Sequence, residues 1–288
     1  MERIIFDTDI GTDIDDSFAL AYLLARRDCE IEGVTTVSGE AEKRAELVSA
    51  ILYNAGREDI PVFPGCSVPL MHEEVQPLAK QYSQIDGFEH QTDFEKYSAV
   101  EFMRHKIRAN PGEITLLAVG ALTNVALLFK TDPEIPSLLK RLVIMGAHFG
   151  FEGERASEWN MRCDRHAAKI VFANAPEDFL IVSADVTRKI SMSKDEHNKY
   201  LDIPLLKPVF SFARTWFAYT DKVFYHDPLA AALIFEPSLC TYVRGIPTVE
   251  NVENGPVLNG LELCENGGAV ITRTVDIDAF LKHYYSVF

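Results

Sequence analysis

The chain has 288 residues, 47% hydrophobic and 25% charged, with a formal net charge of −15. This is the profile of a water-soluble globular protein, long enough for one large α/β domain or two ordinary ones. The acidic balance argues against a general polyanion binder, because phosphate backbones select positive surfaces, but leaves room for a nucleotide or nucleoside in a local site.

From the first residues, MERIIFDTD places acids where a signal peptide needs a basic stretch followed by an apolar one, so no leader is expected. RIIF, IEGVTTV, ITLLAV, RLVIM and FLIVS follow one another as short β-branched or leucine-rich runs of strand length. Between them SFALAYLLARR, EKRAELVSAILYNAG, LTNVALLF and RHAAKIVFANA repeat their apolar residues at helical spacing, with Asn54, Gly56 and Asn174 near the expected helix ends. Near-continuous apolar strands alternating with helices predict an α/β fold, an open, mostly parallel sheet with helices on both faces. The run ITLLAVGALTNVALLF is uncharged but shorter than the ~20 residues of a spanning helix.

Ligands of such sheets bind outside the carboxyl ends of the strands. The segments DTDIGTDIDD, SGE, GALTN and MGAHFG follow successive strands, so they are expected along one edge. Residues 66–95 contain loop breakers without a clean period and read as a lid loop. Residues 190–225 read as helical and aromatic, mostly core, with one or two rings free to stack on a ligand. Without a linker or repeat, residues 1–288 form a single domain on this reading. Five cysteines without CxxC spacing argue against structural disulfides and a zinc site, and for a reducing cytoplasm.

Five aspartates fall within residues 7–16. Residues two apart on a strand share a face, so Asp7 and Asp9 can aim together at the strand end. Asp15 and Asp16 then open a helix, where negative side chains suit the positive end of the dipole. Capping explains one or two acids; a hard divalent cation, Ca²⁺ or Mg²⁺, explains the set. The spacing does not fit an EF-hand loop. FDTDIGTD also resembles the start of haloacid dehalogenase-type Mg²⁺-dependent phosphatases, with Asp7 as nucleophile, but Ile10 intrudes before Gly11. A riboside-binding protein without turnover is a third reading.

Six segments in order carry a resemblance that covers most of residues 4–235: FDTDIGTDIDD, GVTTVSG, AVGALTNVAL, VIMGAHFG, SEWNMRCD and YHDPLAAA. Together they resemble the nucleoside hydrolase family of the inosine-uridine preferring type. The resemblance implies a Rossmann-like nucleoside hydrolase fold and hydrolysis of ribonucleosides to free base and ribose, with a calcium-bound water activated by Asp9. It further implies Asp9, Asp16, the Val119 carbonyl and Asp227 as Ca²⁺ ligands, with Asp7 supporting them from behind. Asp15, Glu158 and Asn160 are implied as ribose contacts, Met145 as a further substrate contact and His226 as donor to the departing base. A small-molecule nucleoside partner, no nucleic-acid polymer, no membrane and a homodimer or homotetramer go with the family.

Two departures stand out. Glu40 occupies a position where the family usually has Asn, which places an extra carboxylate by the ribose, and the lid lacks the family's His-Gly motif. Thr123 and Asn124 read as caps of the following helix, and Glu158 and Asn160 share the two-residue spacing of an exposed strand. Asp13 lies in a two-residue extension with no counterpart in the pattern.

Overall fold

The structure is a computed structural model and describes residues 1–251, 253 and 255–288. The first strands and helices are β1 (Glu2–Thr8), α1 (Asp15–Ala25), β2 (Cys29–Thr36), α2 (Ala41–Asn54), β3 (Val62–Pro64), α3 (Ala99–Ala109), β4 (Ile114–Ala118) and α4 (Thr123–Thr131). Next come α5 (Ile135–Leu138), β5 (Arg141–Met145), α6 (Trp159–Cys163), α7 (Arg165–Ala173), β6 (Phe179–Val182) and α8 (Ala184–Thr187). The remainder is β7 (Ser191–Ser193), α9 (Lys194–His197), α10 (Lys207–Trp216), β8 (Lys222–Phe224), α11 (His226–Leu233), β9 (Cys240–Glu250), β10 (Leu258–Leu263), β11 (Ala269–Val275) and α12 (Ile277–Tyr285).

Nine strands form one sheet in the order β10-β9-β11-β6-β5-β4-β1-β2-β3. The six from β3 to β6 are parallel, β11 continues parallel to β6, and β9 runs antiparallel between β10 and β11. Alternation inside the strands explains why both faces are covered. Ile4 and Phe6 of β1 enter one apolar cluster with Phe18, Leu47 and Tyr284, while Ile5 between them enters the other with Met103, Leu116 and Phe129. The period of two thus sends successive residues into two separate cores.

The register aligns the strand ends. Asp7 sits opposite both Thr35 of β2 and Ala118 of β4, and Ala118 sits opposite Ile144 of β5. The loops after β1, β4 and β5 therefore leave the sheet at the same edge. Chain order reverses between β1 and β4, and in open α/β sheets this switch point is where a crevice forms.

Two segments differ from the sequence reading. Residues 190–225 are not a continuous helical stretch: β7 and β8 pair antiparallel, and α10 is the one helix there longer than four residues. Ser193 ends β7 and begins α9 through a reciprocal capping box with Glu196, and that local hydrogen bonding breaks the helical period. Residues 66–95 carry a 3₁₀ turn (Lys80–Gln84), and their middle is tied down where Gln81 N donates to Gly11 O at 2.9 Å and Glu40 N to Pro77 O at 3.1 Å. Among the described residues, no helix is long and apolar enough to cross a membrane.

Candidate active site

A cavity of about 370 Å³ opens at the carboxyl ends of β1, β4 and β5. Its acidic wall is built by Asp9 from the loop after β1, Asp13 from the next turn, Asp15 and Asp16 at the start of α1, and Asp227 at the start of α11. Both helices aim their amino-terminal ends at the cavity, where the dipole partly offsets the concentrated negative charge. Asp15, Asp16 and Asp227 each offer an oxygen within 4.8 Å of the others, and all three are buried. The backbone N–H of Asp227 donates to Asp15 Oδ2 at 3.2 Å, linking residues 212 positions apart. Thr8 Oγ1 donates to Asp16 Oδ1, and Gln76 Nε2 donates to Asp9 Oδ2 at 2.8 Å.

The opposite wall is set by one short helix. Glu158 caps α6, accepting from the backbone N–H groups of Asn160 (3.1 Å) and Met161 (3.0 Å), and also from Ala147 (3.2 Å). Asn160 Nδ2 then donates to the carbonyls of Val119 at 2.6 Å and Met145 at 3.1 Å, stitching the ends of β4 and β5 together. Val119, Met145, Glu158 and Asn160 all line the cavity. Glu158 and Asn160 thus belong to a helix start and not to the exposed strand suggested by their spacing: the capping carboxylate at Glu158 gives the first N–H groups a partner.

The electrostatics follow from burial. Desolvation, then the neighbouring acids, push Asp15 and Asp227 well above the usual carboxylate range, and desolvation followed by the charge of Asp9 does the same to Asp16. Asp9 is raised by burial, against the pull of the Arg44 guanidinium. Asp7 lies behind the cavity, where burial lifts it to about 7. Its Oδ1 accepts from Thr35 (2.5 Å) and Asn124 (2.8 Å), and its buried Oδ2 has no partner among the described residues. Asp13 is likewise pushed up to about 7, burial first. A cation bound among these oxygens reverses such shifts. The donor chemistry fits one: carboxylates and a peptide carbonyl are the hard oxygen ligands of Ca²⁺ and Mg²⁺.

His226, the residue before Asp227, also lines the cavity, its Nδ1 2.6 Å from Thr187 Oγ1. Burial, helped by the charge of Arg188, lowers it to about 4, so the ring is neutral at pH 7. Arg188, Trp159 and Trp216 line the cavity as well.

The readings of Glu40 and of Thr123 and Asn124 change. Glu40 is outside the cavity lining; its carboxylate pairs with Lys43 at 2.5 Å and accepts from Ala79 N at 3.1 Å, because it precedes α2 and is drawn to the lysine one turn on. Thr123 and Asn124 do not cap α4: Thr123 Oγ1 donates to Asp164, and Asn124 reaches Asp7, Thr36 O and, as acceptor, Cys66 N. Asp15 lies close to Asp16 and Asp227 in the carboxylate triad, and Asp9 lies in the same cavity outside that triad. Asp13 lines the cavity, although nothing in the pattern gave it a role.

Thr12, Gln76, Trp159, Ala184 and Arg188 are the lining residues that sequence reasoning missed, and Trp216 is the ring of the 190–225 segment that reaches the cavity. Gln76 sits in a segment without period, and an isolated glutamine carries no signal of its own. Trp159, 45% exposed between two site residues, was the one visible clue. Behind the wall, Arg44 is fully buried and donates to the carbonyls of Ser38 (2.8 Å), Asp9, Ile10 (2.8 Å) and Gln76 (3.2 Å).

Fold and cavity together define an α/β protein whose ligand sits at the strand ends among carboxylates fit to hold a divalent cation. The chain belongs to the inosine-uridine preferring nucleoside hydrolase family, whose model matches residues 4–282. It is similar to uridine nucleosidase 1 of Arabidopsis thaliana, at 32% identity with 86% of this chain and 78% of that protein aligned. It is also similar to the pyrimidine-specific ribonucleoside hydrolase RihA of Citrobacter koseri, at 28% identity over 96% and 93% of the two chains. A solved plant nucleoside hydrolase superposes with a TM-score of 0.85 at 24% identity, covering 99% of this chain and 98% of its own. An inosine-guanosine nucleoside hydrolase gives the same TM-score at 22% identity with the same coverage, which speaks to fold alone. The chain is accordingly a glycosidase for N-ribosyl bonds, hydrolysing ribonucleosides to base and ribose.

Proposed function

We propose that this cavity hydrolyses pyrimidine ribonucleosides, uridine foremost, with Ca²⁺ as its metal and Asp9 as general base. The observation that carries the reading is the convergence of Asp9, Asp15, Asp16, Asp227 and Glu158 on one cavity. N-glycosidic cleavage builds positive charge on the ribosyl ring, as other glycoside hydrolyses do, and a ring of carboxylates stabilises it as it forms. The uridine nucleosidase and pyrimidine-specific relatives support the choice of base.

Each residue has a distinct task on this reading. Asp16, Asp227 and the Val119 carbonyl hold the cation, with Asp9 and Asp15 beside them. Calcium, when bound, supplies a positive centre that coordinates ribose hydroxyls and makes water more acidic. Asp9 takes the proton from the attacking water; Gln76 holds its Oδ2 and so fixes where the carboxylate points. Asp15, Glu158 and Asn160 hold ribose hydroxyls, and Met145 closes the floor under the sugar. Thr187 donates to Nδ1 of His226, which leaves the ring proton on Nε2, facing the base. Arg188 adds permanent positive charge as the departing uracil becomes anionic. The five free cysteines suit a reducing cytoplasm, and base salvage suits the products.

A panel of uridine, cytidine, inosine and guanosine, followed by reducing-sugar release in phosphate-free buffer, tests this. Uridine is expected to turn over fastest, a calcium-selective chelator to stop it, and Asp9→Ala to lower kcat by about 10²–10⁴-fold. Full activity of Asp9→Ala would remove the base from the mechanism, and preferred release of hypoxanthine would move the substrate to purines.

A further inference from the structure

Outside the cavity, a second group of side chains meets where residues 66–79 cross the junction of α6 and α7. His72, Asp164 and His166 each offer a ligand atom, all within 4.8 Å of one another. We propose that these three residues form a second metal site, for a borderline divalent ion of the zinc class, which fastens that loop to the body of the protein.

The state of the two imidazoles carries the argument. His72 Nδ1 lies 2.8 Å from the carbonyl oxygen of Glu73, which can only accept, so Nδ1 holds the proton and Nε2 is left with a bare lone pair. That Nε2 is buried and has no hydrogen-bond partner among the described residues. His166 also carries a buried ring nitrogen without a partner among the described residues, its Nδ1, while its Nε2 faces Glu253 Oε1 at 3.9 Å. Two buried, unpartnered imidazole nitrogens thus occur side by side, with ring centroids 6.1 Å apart. Neutral imidazole with a second-shell acceptor on its other nitrogen is the form that binds metal.

Asp164 is the third donor. Its Oδ2 accepts from Leu70 N and Thr123 Oγ1, both at 2.8 Å, and its Oδ1 from Ala167 N at 2.9 Å. Three of about four carboxylate lone-pair positions are used, which fixes the group and leaves one position open. Zinc–ligand bonds near 2.1 Å in tetrahedral geometry put ligand atoms roughly 3.4 Å apart. The half-buried His72 and His166 need only a small movement to reach that spacing. Two imidazoles and one carboxylate favour zinc-class ions over calcium, with a fourth position left for water. The cysteine spacing that argued against zinc does not bear on this site, because it uses no thiolate.

The site is separate from the acidic cavity but mechanically joined to it. The loop that carries His72 also carries Gln76, which holds Asp9 and accepts from Trp159 Nε1. An ion on His72, Asp164 and His166 therefore anchors one wall of the cavity from outside.

The test uses full-length, chelator-stripped protein in excess Ca²⁺, titrated with Zn²⁺ and Co²⁺ and no substrate, so the outcome does not depend on the nucleoside reading. One equivalent of Zn²⁺ is expected, with visible d–d absorption from Co²⁺ and slower hydrogen exchange in residues 66–79. His72→Gln and His166→Gln are each expected to weaken Zn²⁺ binding by about 100-fold or more, whereas Asp16→Asn is expected to leave it unchanged. Melting curves without zinc establish that the glutamine variants fold; if His166→Gln does not, His72→Gln, on the loop, decides. No zinc uptake by the wild type, uptake that survives His72→Gln, or uptake lost in Asp16→Asn would each overturn the site.

Discussion

His226 and Asp9 sit in the same cavity but are tuned in opposite directions by the same cause. Burial disfavours charge on either, so the histidine falls to about 4 while the aspartate rises. A neutral histidine assists a leaving group by hydrogen bonding more than by full proton transfer, and how much it matters depends on how poorly the group leaves. His226→Ala is therefore expected to lower uridine turnover by about 10²–10⁴-fold but to change nitrophenyl riboside turnover little, since nitrophenolate departs without a proton. An equal fall with both substrates would assign His226 to holding the sugar. At this scale the acids were legible because repulsion makes a dense cluster improbable without a task. Gln76, Arg188 and Arg44 were not, because a lone polar residue in a loop or helix looks like any solvated one. Only the folded chain shows Arg44 with four carbonyls around it.

At the scale of elements, Arg44 shows how α2 governs the loop after β1. Its guanidinium gathers the carbonyls of residues 38, 9, 10 and 76, so three separate segments share one clasp. Arg44→Met fills much of the volume but orphans those acceptors, and is expected to cost about 3–5 kcal/mol, read as a lower melting temperature and denaturant midpoint. A second element-level case is the packing of α9 against Tyr225, the residue between β8 and α11. His197 is buried, with Nε2 2.9 Å from Tyr225 Oη and Nδ1 2.7 Å from Ser193 O, and burial lowers its pKa below 6.5. The unfolded chain then binds the proton first as pH falls, so this contribution is whole above pH 6.5 and is lost below it. Melting at about pH 7.5 and 5.5 is expected to show a smaller acid loss in His197→Gln than in the wild type; an unchanged difference would clear His197 of the effect. The central strands could be read in advance because burial on both faces leaves unbroken apolar runs. β9, β10 and β11 could not: β9 has exposed and buried residues in turn, and its pairing partners follow it in sequence.

For the whole molecule, the acidic cavity is a stability element as much as a catalytic one. Six buried or nearly buried carboxylates line it and oppose folding unless protonated or neutralised, and an ion that binds only the native arrangement stabilises it by mass action. Calcium at about 100 times its dissociation constant is expected to add about 2.7 kcal/mol, read as a rise in melting temperature that Asp16→Asn abolishes. No calcium-dependent rise in the wild type would argue against Ca²⁺ as the resident ion. The convergence of the loops at one edge was legible from strand order alone. The detailed division of roles among the acids was not, because it depends on how α1 and α11 approach each other, and they are far apart in the chain.

That distance has a consequence during synthesis. Asp9, Asp15 and Asp16 leave the ribosome more than two hundred positions before Asp227, whose N–H meets Asp15. A nascent chain therefore carries its acids early and their last partner late. Until α11 docks on α1, the early aspartates have only part of the triad with which to retain an ion, and high-affinity capture becomes a mark of the finished molecule. The time at which a ribosome-bound chain first retains a divalent ion would report when α1 and α11 meet.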